Sequence, residues 1–167
     1  MEDSLYWPLS HDGRYTCKSG YRFLKEEAES ALERTQVAFE TQLWKKLWML
    51  EVPNKVKNHV WRACRDSLPI KQNLMQRTII TNPLCDRCKL LPETMLHVVW
   101  ACPKLDEVWT DSVQWGFRHN RRFLDFKELL SWVIQEQRNA ELFAMTVWSV
   151  WTQRNQARLH KPHCTLS

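Results

Sequence analysis

Apolar residues recur at intervals of three to four positions along most of this chain, which is the spacing of amphipathic α-helices. In the last such stretch, Phe143, Val147, Trp148 and Trp151 form one broad apolar stripe. The pattern predicts helices over about residues 19–34, 42–50, 53–66, 104–116, 124–138 and 140–160, with shorter helices at 92–99 and ending near residue 77. We therefore predict a mainly α fold.

The first eighteen residues follow a different pattern. Two short segments, 6–9 and 14–17, contain aromatic residues and flank the dipeptide Asp12-Gly13. An Asp-Gly pair between such segments is typical of a tight hairpin turn, because glycine adopts a positive φ without steric cost. We therefore predict a short N-terminal β-hairpin.

The helix predicted over residues 53–66 is apolar on one side and basic on the other. With about 100° of rotation per residue, Val56 and Val60 fall in one arc, and Lys55 and Arg62 fall in the opposite arc. Such a basic face is either an ordinary solvated helix surface or a surface that attracts polyanions. The sequence leaves both interpretations open.

Positive charge is concentrated in the segment before the cysteines. The chain has 24 Lys and Arg against 19 Asp and Glu, yet the acids within residues 41–77 are only Glu51 and Asp66. Basic side chains in such a segment neutralise phosphates and release counterions, which gives salt-dependent binding of nucleic acid. The candidate nucleic-acid-binding residues are Lys45, Lys46, Lys55, Lys57, Arg62, Arg65, Lys71 and Arg77.

The composition argues against several classes of function. Only three glycines occur, and no G-x-G-x-x-G or G-K-[ST] phosphate-binding loop is present. The most apolar run, residues 142–151, is too short and too polar to cross a bilayer, and the N-terminus lacks a secretory signal. We therefore expect a soluble, intracellular protein with no membrane partner and no small-molecule substrate. Its ten tryptophans are interpreted as core residues rather than as a base-stacking platform.

Three of the six cysteines lie within eighteen residues beside a histidine, in the pattern C-x2-C-x8-H-x4-C. Two residues separate Cys85 from Cys88, which lets a tight turn aim both sulfurs at one ion. On an unbroken helix His97 and Cys102 would lie about 140° apart, so both reach the ion only if the helix is interrupted. Pro103 favours an interruption at Cys102. Four protein ligands leave no open coordination position, which predicts one structural Zn²⁺.

Other interpretations of these residues were weighed. The three cysteines could be unliganded and buried near a core histidine. A second cluster, His160, His163 and Cys164, could bind metal, but a frayed polar C-terminus is the favoured interpretation. A zinc-dependent nucleobase deaminase is rejected, because no histidine has a glutamate two residues later. Neither an Asp-Asp polymerase pair nor the spread carboxylates of a two-metal nuclease can be found, so no catalytic residues are predicted.

An ordered series of motifs identifies a family. The series comprises Gly13-Arg14-Tyr15-Thr16, Trp44-Lys45-Lys46-Leu47-Trp48, Val52-Pro53-Asn54-Lys55-Val56-Lys57, the cysteine pattern with Glu93-Thr94 and Cys102-Pro103, Val108-Trp109, and Trp148-x-x-Trp151-x-x-Arg154-Asn155. Over about residues 3–160 the chain closely resembles the reverse transcriptase zinc-binding domain of plant non-LTR (LINE-type) retroelements. We divide it into an N-terminal hairpin (1–18), the zinc-binding domain (19–117, with the zinc segment at 83–103) and C-terminal helices resembling the linker before an RNase H domain (118–167).

The resemblance implies a function. It suggests a non-catalytic accessory domain of a retroelement polyprotein that contacts RNA or DNA, in the nucleus, with one structural Zn²⁺ held by Cys85, Cys88, His97 and Cys102. The chain would then be an excised or relic fragment, lying after the polymerase and before the nuclease. The alternative is a zinc-stabilised spacer that docks the polymerase against the RNase H domain without binding nucleic acid. That alternative predicts an exposed apolar surface, around Trp148 and Trp151 or the N-terminal hairpin.

The sequence departs from the family pattern at one position of the zinc segment. Lys89 stands directly after the second cysteine, where the family usually has glycine. A glycine there would ease a positive φ in the turn. We therefore expect slight backbone strain or a lower metal affinity at this turn, although all four ligands are retained.

Overall fold

The computed structural model of the protein describes residues 6–8, 10–28 and 31–159, without the side chains of residues 26–36. This part of the chain is mainly helical, which confirms the predicted fold class. None of its helices is long and apolar enough to cross a lipid bilayer. The helices are α1 (Cys17–Ala28), α2 (Ala31–Met49), α3 (Asn54–Cys64), α4 (Lys71–Gln76), a π-helix (His97–Ala101), a 3₁₀-helix (Pro103–Leu105), α5 (Ser112–Trp115), α6 (Phe117–Asn120), α7 (Phe126–Gln135) and α8 (Ala140–Arg158).

The chain divides into two compact units, Met1–Gln42 and Leu43–Ser167, and the division falls within α2. In the first unit, the ring of Trp7 packs edge-on against Tyr15 and Phe23, with centroid distances of 5.0 and 6.1 Å. The second unit contains the main core and the cysteine pattern. The domain boundaries predicted after residues 18 and 117 stay predictions.

The predicted N-terminal β-hairpin is wrong, because the described residues before α1 contain no strand. The chain does turn there: the N–H of Trp7 donates to the carbonyl of Gly13 at 2.8 Å, and Gly13 has a φ of +67°. The next segment, however, starts a helix. Thr16 Oγ1 accepts from the N–H of Ser19, and Ser19 Oγ accepts from the N–H of Thr16, both at 3.1 Å. This reciprocal capping uses the backbone groups that a second strand would need.

The core of the second unit lies where α3, α7 and the π-helix pack against α8. The apolar stripe predicted on the helix over 53–66 faces this core, as does much of the stripe on 140–160. Burying each such side chain contributes about 1.5–3 kcal/mol. The most deeply buried residues of this core are Val56, Val60, Val98, Val99, Leu129, Leu130, Val133, Phe143, Ala144 and Val147.

A cluster of aromatic rings joins the π-helix to α8. The ring of Trp100 lies 4.9 Å from that of Trp109, 5.1 Å from that of Phe117 and 6.0 Å from that of Phe143. Trp109 Nε1 donates to the carbonyl of Val99 at 3.1 Å, so its one polar group is satisfied inside the core. The interpretation of the tryptophans as core residues is confirmed for Trp100, Trp109, Trp115 and Trp151, whereas Trp48 and Trp61 are exposed.

The single helix predicted over residues 104–116 is wrong. One 3₁₀ turn ends at Leu105, and a new helix begins after Asp111. The Asp111 carboxylate accepts from the N–H groups of Val113 and Gln114 at 2.9 and 3.1 Å. Such an N-cap residue has a non-helical backbone, so a continuous helix cannot pass through it. The helices predicted over 124–138 and 140–160 are present as α7 and α8, each slightly shorter.

Candidate metal centre

The four predicted ligand side chains lie together in the second unit. Their donor atoms, three sulfurs and one imidazole nitrogen, are all within 4.8 Å of one another, so they can hold one metal ion. In a tetrahedral zinc site with bonds of about 2.0–2.3 Å, neighbouring donors are separated by about 3.3–3.8 Å. Cys88 Sγ and His97 Nε2 are 3.3 Å apart, which matches this geometry. The donor set therefore fits zinc. The side chains are Cys85, His97 and Cys102, which are buried, and Cys88, which is half-buried.

The first two donors are placed by a compact turn. The N–H of Cys85 donates to the carbonyl of Leu91, and the N–H of Lys89 donates to the carbonyl of Cys85, both at 2.9 Å. An isolated β-bridge between Leu84 and Pro92 closes the base of this turn. Lys89 has a φ of +60°, the left-handed backbone region that glycine occupies without steric cost. The expected strain at this position is therefore visible in the backbone.

The other two donors are placed by the π-helix. Its backbone bonds run from residue i+5 to residue i, and the N–H of Cys102 donates to the carbonyl of His97 at 3.0 Å. Residues five apart therefore lie one above the other, whereas an α-helix would have rotated them apart. Cys102 then leaves the helix with an extended backbone, at φ −65° and ψ 127°, immediately before Pro103. The required interruption of the helix is present, but as a wider turn rather than as the predicted helix over 92–99.

The ionisation of the clustered thiols explains why a cation suits them. Burial raises the pKa of Cys102 to about 12, and the nearby thiols of Cys85 and Cys88 raise this pKa as well. Burial also opposes ionisation of Cys88, but hydrogen bonds from the N–H groups of Leu90 and Leu91 and from the thiols of Cys85 and Cys102 together outweigh it, so the pKa of Cys88 is lowered. Because the thiols of Cys85 and Cys88 oppose ionisation of Cys102, a nearby cation is needed for the Cys102 thiolate to form beside them.

His97 is also suited to binding a metal ion. Burial lowers the pKa of its imidazole, which favours the neutral ring that binds metals. Its backbone N–H donates to Thr94 Oγ1 at 3.0 Å, and this bond helps to fix the start of the π-helix. The ligand residue is therefore held in position from both of its sides, by Thr94 and by the bond to Cys102.

Two arginines bind the zinc segment (residues 83–103, called the metal segment from here on) to its surroundings. Arg87, between the first two cysteines, donates from Nη2 to the carbonyl of Val150 in α8 at 3.0 Å. Arg118 donates from Nε to the carbonyl of Trp100 and from Nη2 to that of Cys102, both at 2.9 Å. Arg118 thereby satisfies carbonyls at the end of the π-helix, where helical partners are missing. Sequence reasoning missed Arg118, because it lies sixteen residues after Cys102 in an ordinary basic stretch.

A buried ion pair also joins the metal segment to α8. Glu93 is 0% exposed and Arg154 is 4% exposed, and their side chains bind each other directly. Glu93 also accepts from the N–H of Lys71 at 2.9 Å, and Arg154 donates to the carbonyl of Pro69 at 3.3 Å. The pair therefore ties together α8, the start of α4 and the segment before His97. Both residues belong to motifs of the family resemblance, but the sequence did not show that they are partners.

The eight predicted nucleic-acid-binding residues have different surroundings. Lys57 is half-buried and its ammonium donates to the carbonyl of Trp48 at 2.9 Å. Lys71 is largely buried, and its ammonium donates to the carbonyl of Leu84 at 3.0 Å and pairs with Asp86 at 2.6 Å. The remaining six are exposed: Lys45, Lys46, Lys55, Arg62, Arg65 and Arg77. No contact in the described residues tests their role, which stays a prediction.

The second cluster, His160, His163 and Cys164, lies outside the described residues. Its role, if it has one, stays a hypothesis.

Breaking the buried ion pair should be costly, whereas removing both charges should be tolerated better. We expect Glu93→Gln or Arg154→Met alone to lower the free energy of unfolding by about 3 kcal/mol, because each leaves an uncompensated buried group. The double variant Glu93→Gln/Arg154→Met should lose clearly less than the sum of the two single losses. Urea denaturation of the zinc-loaded protein measures all three values, and strictly additive losses would contradict the coupling.

Relieving the left-handed backbone at Lys89 should stabilise the metal segment. We expect Lys89→Gly to be more stable than Lys89→Ala by about 1 kcal/mol, because only the alanine keeps a Cβ in the left-handed region. The same pair of substitutions at Lys45, an exposed position within α2, is the control and should give the opposite order. Urea denaturation and zinc competition measure both pairs. Equal stabilities at position 89 would show that the turn is not strained.

The comparisons with known proteins agree with this geometry. Residues 15–109 match the family described as zinc-binding in reverse transcriptase, and this span contains all four clustered donors. A protein of Arabidopsis thaliana, named as a ribonuclease H protein, is 26% identical over 161 residues, covering 91% of this chain. The chain spans only 24% of that relative's length. No solved structure matches the chain. The chain therefore belongs to the family of zinc-binding domains of reverse transcriptases, as its motifs predicted.

Proposed function

We propose that this chain is a non-catalytic accessory domain of a retroelement reverse transcriptase polyprotein, in which one structural zinc maintains a surface that contacts RNA or DNA. The observation that carries the proposal is the buried cluster of four donors in a chain that belongs to a zinc-binding family. Three cysteines and one histidine complete a tetrahedron, which leaves no position for a water nucleophile or a substrate. The zinc would therefore support the fold rather than perform chemistry.

The contacts around the donor cluster support a structural role. The metal segment packs on α8 through the apolar side chains of the π-helix, and it is also connected to α8 through Arg87 and through the pair of Glu93 with Arg154. Zinc binding is worth an apparent ~10–16 kcal/mol in small finger peptides, because the unfolded chain has no preformed site. A fraction of that free energy is enough to order the segment over residues 83–103 and to position Arg87 and Glu93 against α8.

The nucleic-acid part of the proposal rests on exposed positive charge. We define the α2–α3 basic face as Lys45, Lys46, Lys55, Arg62 and Arg65, all exposed within or next to α2 and α3. The ammonium of Lys55 lies 4.6 Å from the ring centroid of Trp148, which holds its stem without neutralising its charge. Such a surface attracts the phosphate backbone of either nucleic acid, with little sequence preference.

Two of the predicted basic residues contribute less directly. The ammonium groups of Lys57 and Lys71 already bind protein carbonyls, and Lys71 also binds the carboxylate of Asp86. In the proposal they add to the positive field, and Arg77 adds an exposed charge after α4. Direct contact with phosphates is assigned to the five residues of the α2–α3 basic face.

The alternative function, a spacer between the polymerase and the RNase H domain, has partial support. Trp151 is buried and Trp148 is half-buried beneath Lys55, so this pair does not form the exposed apolar surface that the alternative predicts. Trp48 and Met49, at the end of α2, are 43% and 80% exposed. They would be the contact surface if the chain acts as a spacer. Because the chain spans 24% of its Arabidopsis relative, both functions are proposals about a longer protein.

Removing the metal should unfold the metal segment. We expect the purified protein to contain one zinc per chain. The variant Cys102→Ser should contain much less, because a buried hydroxyl cannot replace the thiolate. Chelation should lower the midpoint of urea denaturation and reduce the helical circular dichroism signal. Cys17→Ser, in the exposed first turn of α1, is the control and should keep its zinc. A chelated protein with unchanged stability would contradict the structural role.

Neutralising the α2–α3 basic face should weaken nucleic-acid binding. We expect the zinc-loaded protein to bind structured RNA and single-stranded DNA with an affinity that falls as salt rises. The variant Lys55→Gln/Arg62→Gln/Arg65→Gln should reduce the slope of log K against log salt by about 2–3. The matched control, Arg14→Gln/Lys18→Gln/Arg22→Gln, removes three exposed charges from the first unit and should change the slope less. Absence of binding at low salt, or binding that ignores salt, would favour the spacer.

A further inference from the structure

A cavity of about 920 Å³ opens beside the metal centre, and none of its lining residues belongs to the α2–α3 basic face. Its lining includes Gln153 and Arg158 from the last two turns of α8. The loop of residues 78–82, which follows α4, also contributes, as do residues of the turn that carries the first two cysteines. The size is within the range of pockets that bind small organic ligands.

Positive charge converges in this cavity. The ammonium groups of Lys71 and Lys89 lie 2.6 and 3.1 Å from the carboxylate of Asp86, and the guanidinium of Arg158 lies 3.8 Å from it. A single carboxylate therefore faces three cations and can neutralise only one of them. Arg87 also lines the cavity, and its Nη1 is buried with no hydrogen-bond partner in the described structure.

The lining keeps a surplus of positive charge after the neighbouring acids are counted. Arg154 lines the cavity too, but Glu93 compensates its charge. A zinc centre with three thiolates and one neutral imidazole carries a net charge of −1, which offsets one more cation. Two positive charges of the lining remain without an acid. The two most accessible cations are Lys89 and Arg158, whose side chains are 68% and 29% exposed.

The rest of the lining suits a ligand that is only partly charged. Thr81 and Asn82 offer a hydroxyl and an amide on one wall, and Ile79, which is 64% exposed, offers an apolar surface. A doubly charged phosphoryl group would pair with Lys89 and Arg158, leaving Lys71 with Asp86. A flat ring attached to that group would lie against Ile79. An inorganic ion would fill only a small part of the volume.

We propose that this cavity binds the phosphorylated end of a nucleotide, either as a free mononucleotide or as the terminal nucleotide of a nucleic-acid strand. The inference deepens the proposed function, since a strand held along the α2–α3 basic face would also have an end to accommodate. It does not depend on that face, because the two groups of residues are distinct. The common chemistry is a phosphate monoester linked to a sugar and a base.

The test uses the zinc-loaded full chain and adenosine 5′-monophosphate as the probe. We expect amide resonances of residues 78–82 and 153–158 to shift on titration, and adenosine without phosphate to bind at least about tenfold more weakly. The variants Arg158→Gln and Gln153→Glu, both on α8 and away from the metal donors, should each weaken binding by about tenfold. Lys55→Gln/Arg62→Gln is the control and should leave mononucleotide binding unchanged.

Single-stranded oligonucleotides identify the source of the phosphate. If the terminal nucleotide of a strand is the ligand, a 5′-phosphorylated strand should bind better than its 5′-hydroxyl form, and Arg158→Gln should remove that difference. If a free nucleotide is the ligand, the two strands should bind equally while the monophosphate still binds.

The inference would be overturned if the amide resonances of these residues did not shift up to about 10 mM monophosphate, or if the α8 variants bound it as tightly as the unmodified protein. Loss of strand binding in the Lys55→Gln/Arg62→Gln variant would still support the proposed function in that case. Conversely, monophosphate binding without any salt-dependent strand binding would remove the proposed function and keep the cavity.

Discussion

The structure depends on the convergence of three sulfurs and one imidazole nitrogen within 4.8 Å of one another. Ionising the thiol of Cys102 in this cluster is unfavourable by itself, since burial and the neighbouring thiols raise its pKa. A divalent cation reverses the sign of that interaction. The turn over residues 85–91 and the π-helix are then held at one point. Two side chains of the metal segment, Arg87 and Glu93, become aligned with their partners in α8.

Much of this site could be predicted from the sequence because its spacing obeys local geometry. Two residues between Cys85 and Cys88 imply a tight turn, and the rotation between His97 and Cys102 implies an interrupted helix. The form of the interruption could not be predicted, because an i+5 turn and a simple helix end satisfy the same spacing. The pairing of Glu93 with Arg154 could not be predicted either, since the two residues are separated by 61 positions in the chain.

The errors and the open predictions have local physical causes. The hairpin prediction followed from Asp12-Gly13, and that turn exists, but capping by Thr16 and Ser19 starts a helix where a strand was expected. The list of basic residues was a count of charges without their partners. Lys71 has the same chemistry as Lys55, yet one ammonium is paired with a carboxylate and the other lies over an aromatic ring on the surface.

The i+5 turn between His97 and Cys102 also limits how the gene segment can vary in length. Deleting one residue between the two ligands would let an ordinary α-helical turn close, and residues four apart on such a turn still lie on one face. Inserting one would carry the second ligand past the bond that closes the turn and rotate the sulfur by about 100° away from the other three donors. A lost residue is therefore more compatible with the metal centre than a gained one.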